Sequence, residues 1–311
     1  MSFFAQITLV QNHPTGIEFS STPGNQNYFR HPHLTMCPHV SSPHLCILVT
    51  PIYRKTLQPL EQFSLQYSRS ILSHWPHVFI APQSLDVSFY QGVYPESAFI
   101  RLSDHYFQSI RGYNELMLDP DFYARFSDYE FLLILQSDAI ALKDDLEHWC
   151  HQPYDWIGAP WPDGQTLTLH FDIFKDIPQK KLSCAVGNGG FSLRRVQKCR
   201  QLLAEFPETA THFAENTIYE DLFFSLLGTQ AHYFNIPNER TAALFSLELR
   251  PEHYFRWNQT APMGGHAWWR YNLGFWLPLL TQAPPHEAIS LLRKHEPKPR
   301  LATRIRRLFK N

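Results

Sequence analysis

The sequence predicts an α/β fold, a central, mostly parallel sheet flanked by helices, and three observations carry that prediction. Two short apolar runs, Leu45 to Thr50 and Val78 to Ala81, bracket a helical segment, an order that favours parallel strands joined by a right-handed crossover. Five consecutive apolar residues, Phe131 to Leu135, are too few for a comfortable helix and lack polar alternation, so they read as a central strand buried on both faces. Gln136, Ser137 and Asp138 follow at once, at the carboxyl end of that strand, where open α/β sheets place their ligands. On this stretch alone, Asp138 serves equally well as a functional carboxylate or as a turn cap.

Taken in order, His44 to Tyr53 contains the first buried strand, ended by Pro51. Leu57, Leu60, Leu65, Ile71 and Leu72 mark a helix that tolerates Pro59 in its first turn. Val78 to Ala81, ended by Pro82, is the second strand, Asp86 to Tyr94 a loop or short helix, and Ser97 to Leu102 a third strand. Ile110, Tyr113, Asn114 and Met117 fall at helical spacing before Asp119-Pro120 interrupts, and Phe122 to Phe126 adds a turn. Beyond Asp138, Leu146 to Cys150 is a short helix, and Tyr154 to Trp161 is a strand running into a Pro-rich loop. Residues 162 to 182 carry little signal and read as an insertion. Val196 to Phe206 is helical.

Composition narrows the class. Aromatic residues make up 15% of the 311 residues, which suits sugar stacking or a large core equally. The five cysteines are odd in number and lack metal-type spacing, which points to a reducing compartment without a disulfide framework or a zinc site. The amino terminus shows no secretory signal and no apolar run is long enough to cross a bilayer, so the expected location is cytoplasmic. The net charge of −1 hides an asymmetry: Arg293 to Asn311 holds eight Lys/Arg and one Glu, a balance of +7, leaving −8 for the rest. Within that tail Leu301, Ile305, Leu308 and Phe309 share one helical face between basic residues, the pattern of an amphipathic helix on an anionic membrane surface. An acidic body without a recognition module argues against nucleic acid as a partner.

Three stretches carry chemistry. Val186 to Arg195 holds Gly187, Asn188, Gly189 and Gly190, where glycine permits positive φ or close approach of the backbone to a ligand. No Lys-Ser/Thr follows, so this is not the phosphate loop of the NTPases. Glu220 and Asp221 precede an apolar run, as acidic residues at a helix start do in any case. His266 sits beside two indoles after a glycine pair.

Together these segments resemble a family of bacterial candidate glycosyltransferases gathered under a domain of unknown function, with a GT-A-like (Rossmann-like) nucleotide-sugar fold. The resemblance runs from about Leu45 to Trp276. It is carried by Val49-Thr50-Pro51-Ile52-Tyr53, Phe79-Ile80-Ala81-Pro82, Ser109-Ile110-Arg111-Gly112-Tyr113-Asn114, Gln136-Ser137-Asp138-Ala139, Tyr154-Asp155-Trp156-Ile157-Gly158-Ala159-Pro160-Trp161, Gly187-Asn188-Gly189-Gly190-Phe191-Ser192-Leu193-Arg194, Glu220-Asp221 and Gly265-His266-Ala267-Trp268.

The resemblance implies a nucleoside-diphosphate sugar, a UDP-sugar above all, as donor and a glycan or lipid-linked hydroxyl as acceptor, in bacterial surface polysaccharide or lipopolysaccharide synthesis. It implies a divalent metal, Mn or Mg, on Asp138 and His266 to stabilise the leaving diphosphate. Gln136 stands where the family pattern of such enzymes has the first Asp of Asp-x-Asp, which leaves the metal requirement open. Asp221, with Glu220, is implied as general base of an inverting transfer. Thr50, Pro51, Tyr53, Asp86, Tyr113, Asn114, Gln136, Ser137 and Asp138 are implied around the nucleotide sugar, and Trp161, Asn188, Gly189, Gly190 and Trp268 around the sugar and acceptor. The corresponding organisation is an irregular lead-in over 1–43, a transferase domain over 44–285 with a nucleotide half to about 142 and an acceptor half from about 143, and a basic tail over 286–311 that is a candidate for peripheral attachment to the inner membrane. A glycoside hydrolase using Asp138 and Asp221, or a non-catalytic carbohydrate-binding protein, are the alternatives.

Overall fold

The structure, a computed structural model, describes residues 44–177 and 180–295; the lead-in over 1–43 and the amphipathic segment Leu301 to Phe309 lie outside the described residues. Nine strands are present among them: β1 (His44–Pro51), β2 (His77–Pro82), β3 (Ala98–Leu102), β4 (Tyr129–Leu135), β5 (Ile140–Ala141), β6 (Trp156–Leu169), β7 (Lys180–Arg195), β8 (Ser246–Leu247) and β9 (Gly264–Gly265). Six of them form one sheet in the order β3-β2-β1-β4-β7-β6, and β5-β9-β8 form a second, small sheet. Strands β3, β2, β1 and β4 are parallel, whereas β7 runs antiparallel to β4 and β6 antiparallel to β7. The mostly parallel sheet of the sequence reading is therefore a mixed one.

Strand β4 sits inside this sheet between β1 and β7, with Leu48 opposite Leu133 and Leu133 opposite Leu193. Its apolar run faces two ways: Leu132 and Ile134 pack into one core with Val49, Val78 and Ile80, while Phe131, Leu133 and Leu135 pack into another with Leu48, Phe79 and Phe191. An unbroken apolar run is what burial on both faces requires. The crossover helix Pro59–Ile71 begins where Pro59 fits a first turn, and Glu61 accepts the amide N–H of Gln58 at 3.0 Å. On the other face, helices Ile110–Met117, Val196–Glu205 and Glu220–Gly228 supply Leu116, Leu202 and Phe224 to the first core.

Two sequence expectations change. Residues 162–182 are no separate insertion: β6 runs on to Leu169 and pairs with Lys180–Cys184 of β7, a ribbon in which Thr166 and Ser183 hydroxyls meet at 2.8 Å. Pro160, Trp161 and Pro162 look like a strand end, but Gly164 at φ 63° lets β6 bulge and resume its pairing at Gln165. Gly187, Gly189 and Gly190 do not take positive φ. Their absent side chains serve close approach instead. The proposed nucleotide and acceptor halves share one sheet, since β7 pairs with β4, and all described residues fall within one unit beginning at Ser42. Among the described residues no helix is long and apolar enough to cross a membrane.

Candidate active site

The small sheet gathers the site. β5 starts two residues after Asp138 and runs antiparallel to β9, with Ile140 opposite Gly265, so the beginning of β5 lies beside the end of β9. β8 runs parallel to β9, with Leu247 opposite Gly265, so both end on the same side. The residues just outside these three ends, Asp138, His266 and Glu248, are thereby brought to one place, and the His266 N–H donates to the Leu247 carbonyl at 3.0 Å. Glycine is needed for this. A Cβ on Gly265 would stand 2.1 Å from the Trp276 ring, and one on Gly190 would stand 2.2 Å from the His266 ring.

His266 lies between two carboxylates, with Nε2 3.2 Å from Asp138 Oδ1 and Nδ1 3.1 Å from Glu248 Oε1. Burial opposes a charged imidazole, but the hydrogen bonding and charge of Asp138 and Glu248 outweigh it and lift His266 to about 10, so the ring is an imidazolium at neutral pH. Arg270, four residues on, reaches Asp138 Oδ2 at 2.9 Å. Burial would raise the Asp138 carboxyl, yet His266 and Arg270 together hold it below the usual carboxylate range. Asn188 donates to Glu248 and accepts the Gly190 N–H at 3.2 Å, tying β7 to the same cluster.

A second cluster lies across Gly189 and Gly190. Here β7 bulges: five steps from Asn188 to Leu193 answer two steps from Ile157 to Ala159 on β6. A Cβ on Gly189 would point at Glu220, at 2.6 Å from Oε1, on the side away from His266. Glu220 pairs with the wholly buried Arg194 at 3.0 Å. The same guanidinium donates to Tyr123 Oη at 3.0 Å, to Ser192 Oγ at 3.0 Å and to the Gly189 carbonyl at 3.3 Å, and lies 4.1 Å over the Trp156 ring. Among the described residues Asp221 forms no ion pair of its own: its carboxylate accepts the N–H groups of Gly189 at 3.1 Å and Leu222 at 2.8 Å. Burial, helped by the charge of Glu220, pushes Asp221 up to about 7.

Tyr113 and Gln136 join the two clusters. Gln136 donates through Nε2 to Tyr113 Oη at 3.3 Å and offers Oε1 to His266 Nε2 at 3.2 Å, while Tyr113, raised by burial, also feels the charges of Glu220 and Asp221. Asn114, next on the same helix, accepts the Glu220 N–H at 3.4 Å.

The structure thus brings together Asp138, Gln136, His266, Asn188, Gly190 and Tyr113, and sets Glu220, Asp221, Gly189 and Asn114 directly across the glycine pair. Ser137 is half-buried in the turn between Gln136 and Asp138. Other expected residues stand apart. Thr50 is fully buried and its hydroxyl is taken by His77 at 2.9 Å; Pro51 is buried beside it. Trp268 is fully buried with its indole N–H on Ser64 Oγ at 2.7 Å, and Trp161 packs over Gly187, so neither presents an open ring face to a sugar. Tyr53 and Asp86 are exposed near the carboxyl ends of β1 and β2, with Asp86 engaged by Ser88. Glu248, Arg270 and Arg194 were missed. For Arg270 the only signal is its four-residue spacing from His266; Glu248 follows a strand of two residues and offers none.

The donor set can be tested against a divalent ion. Asp138 Oδ1 and Gln136 Oε1 each lie 3.2 Å from His266 Nε2, near the separation of about 3 Å between adjacent ligands on an ion with bonds of about 2.1 Å. Among the described residues no three His, Cys, Asp or Glu form a metal-holding group. Only the Asp138 and Gln136 oxygens fit as they stand, a partial shell of the kind Mg completes with substrate phosphates, since the His266 imidazolium must lose its Nε2 proton before it can ligate.

This chain belongs to the family described as "Protein of unknown function (DUF5672)", whose pattern matches residues 96–266, more than half of its length. No curated protein matches it. Among solved structures it is similar to a galactosyltransferase, LgtC, in complex with donor and acceptor sugar analogues, at 15% identity over 78% of this chain and 99% of that one, with a TM-score of 0.46. It is also similar to the glycosyltransferase GlyE of Streptococcus pneumoniae TIGR4, at 13% identity and a TM-score of 0.43, covering 81% of this chain and 64% of that one.

Proposed function

We propose that this protein transfers a glycosyl group from a nucleoside-diphosphate sugar, of the UDP type, to a hydroxyl of a glycan or lipid-linked acceptor on the cytoplasmic side of the membrane, in surface polysaccharide synthesis. The observation that carries this reading is the meeting of Asp138, His266 and Arg270 at the carboxyl end of the central strand, where α/β sheets bind ligands. Departure of a nucleoside diphosphate concentrates negative charge on its oxygens, and fixed cations placed there stabilise it. Arg270 and the His266 imidazolium supply such charge from the chain itself.

Asp138 and the Gln136 amide oxygen would hold a divalent ion, joined by His266 only once its Nε2 gives up its proton, and the bound ion would neutralise diphosphate charge in place of the imidazolium. Tyr53 and Asp86 are assigned to the nucleoside. Asp221 is assigned as base: the acceptor oxygen attacks the anomeric carbon, its proton passes to the carboxylate, and the bond to the diphosphate breaks, with inversion. A carboxyl raised to about 7 that forms no ion pair among the described residues suits this task. The hydrolase alternative gains no support, because Asp138 is held ionised between His266 and Arg270 and so lacks the proton a general acid must donate. The basic tail over 286–311 suits an acceptor carried on an anionic membrane surface.

A thermal-shift titration tests the reading. UDP should raise the melting temperature, Mn or Mg should enlarge the shift, and Asp138→Ala should abolish it. A wild-type protein indifferent to UDP and to UDP-sugars, with and without metal, would defeat the proposal.

A further inference from the structure

Beside the His266 cluster lies a cavity of about 470 Å³ to which no role has been assigned, lined in part by Pro162, Asp163, Leu249, Arg250, Glu252 and Tyr271. Its volume falls in the range of roughly 300–1,000 Å³ found for small-molecule sites. Two stretches of its wall start one residue from the cluster, since Leu249 follows Glu248 and Tyr271 follows Arg270. The Tyr271 phenol also feels the charges of Glu248 and Asp138. The cavity therefore adjoins the reacting end of the site.

We propose that this cavity is the binding subsite for the acceptor, and that it takes an uncharged saccharide with Tyr271 as its stacking surface and Glu252 as a hydroxyl acceptor. The inference rests on the glycosyl-transfer reading for its direction, but the cavity's chemistry supports it separately. Tyr271 is 53% exposed, and an exposed aromatic residue on the wall suits the C–H face of a pyranose. Arg250 and Asp163, both on the wall, form an ion pair at 2.8 Å, which cancels one positive against one negative charge. Glu252 remains, and its carboxylate has no partner among the described residues. The lining is thus net negative, which repels a diphosphate and welcomes the hydroxyl donors of a neutral sugar. Arg250 also holds a left-handed backbone, φ 48°, which a non-glycine residue rarely adopts, in the turn that carries the chain from Glu248 to helix Pro251–Asn258.

The test uses the full chain with UDP present and three neutral disaccharides as probes, lactose, cellobiose and diacetylchitobiose, with binding read by saturation-transfer NMR. At least one should bind, and Tyr271→Ala and Glu252→Gln should each weaken it by at least about fivefold while the UDP-induced melting shift persists. Both side chains are solvent-accessible, so the variants are expected to melt as the wild type does without ligand. The proposal is overturned if none of the three binds, if both variants bind as tightly as wild type, or if either variant loses the UDP shift. A wild type that binds a disaccharide as described but ignores UDP would leave the subsite standing and remove the transferase reading.

Discussion

Two charged clusters flank Gly189 and Gly190, and each holds a cation against carboxylates, yet they are built for different work. Around His266 the cations are an imidazole and the largely exposed Arg270 guanidinium, and the carboxylates of Asp138 and Glu248 approach from separate strands. Around Arg194 the cation is sealed from solvent, stacked on Trp156, with every nitrogen committed. A sealed and fully bonded guanidinium cannot meet a ligand, so it fixes architecture. By pairing with Glu220 it leaves Asp221 as the one carboxylate of that pair still free of a cation.

Arg194→Ala should therefore have the largest effect, because it strands Glu220 in the interior. A loss of about 3–5 kcal/mol in unfolding free energy, measured by urea denaturation, is expected. A near-neutral result would mean that Glu220 reaches water and that the contrast between the clusters is wrong. Gly190→Ala probes the other side. Its new methyl would overlap the His266 ring and push the imidazole off Asp138, so the proposed transferase activity should fall by roughly 100-fold with a smaller change in stability. Activity within a few-fold of wild type would separate His266 from the chemistry.

Asp221→Asn gives the smallest expected shift in stability and sharpens the comparison by pH. With the folded carboxyl raised from 3.8 to about 7, the folded state binds this proton more tightly than the unfolded state does. The wild type thus loses stability as pH rises from about 4 to 7, whereas the uncharged variant does not. Its melting temperature should gain a few degrees on wild type between pH 5 and pH 8 while activity is lost. A constant gap across that interval would show that Asp221 is solvated.

Much of this frame was legible in the chain. The run from Phe131 to Leu135 declared a doubly buried strand because two cores demand apolar residues at every position, and Asp138 and His266 were paired through the family resemblance. Glu248 was invisible because a strand of two residues has no period to detect. The ribbon over 162–182 was hidden by two prolines at a bulge, although Leu167 and Leu169 alternate with threonines beyond it. Trp268 misled for another reason: an indole beside a glycine-preceded histidine resembles a sugar platform, but helix Trp268–Trp276 turns it inward onto Ser64. Side-chain direction after a turn depends on tertiary packing, which a linear pattern does not encode.

The small sheet has a consequence for what anchors the histidine. β5, β8 and β9 are two residues long and meet through two register pairs at each junction, whereas β1 and β4 share five. Such short ladders hold little by themselves, so the segment bearing His266 and Arg270 is kept in place chiefly by the fully buried Trp268 and Trp276 that follow the histidine. The seat of the imidazole beside Asp138 thus depends on an apolar plug more than on backbone pairing.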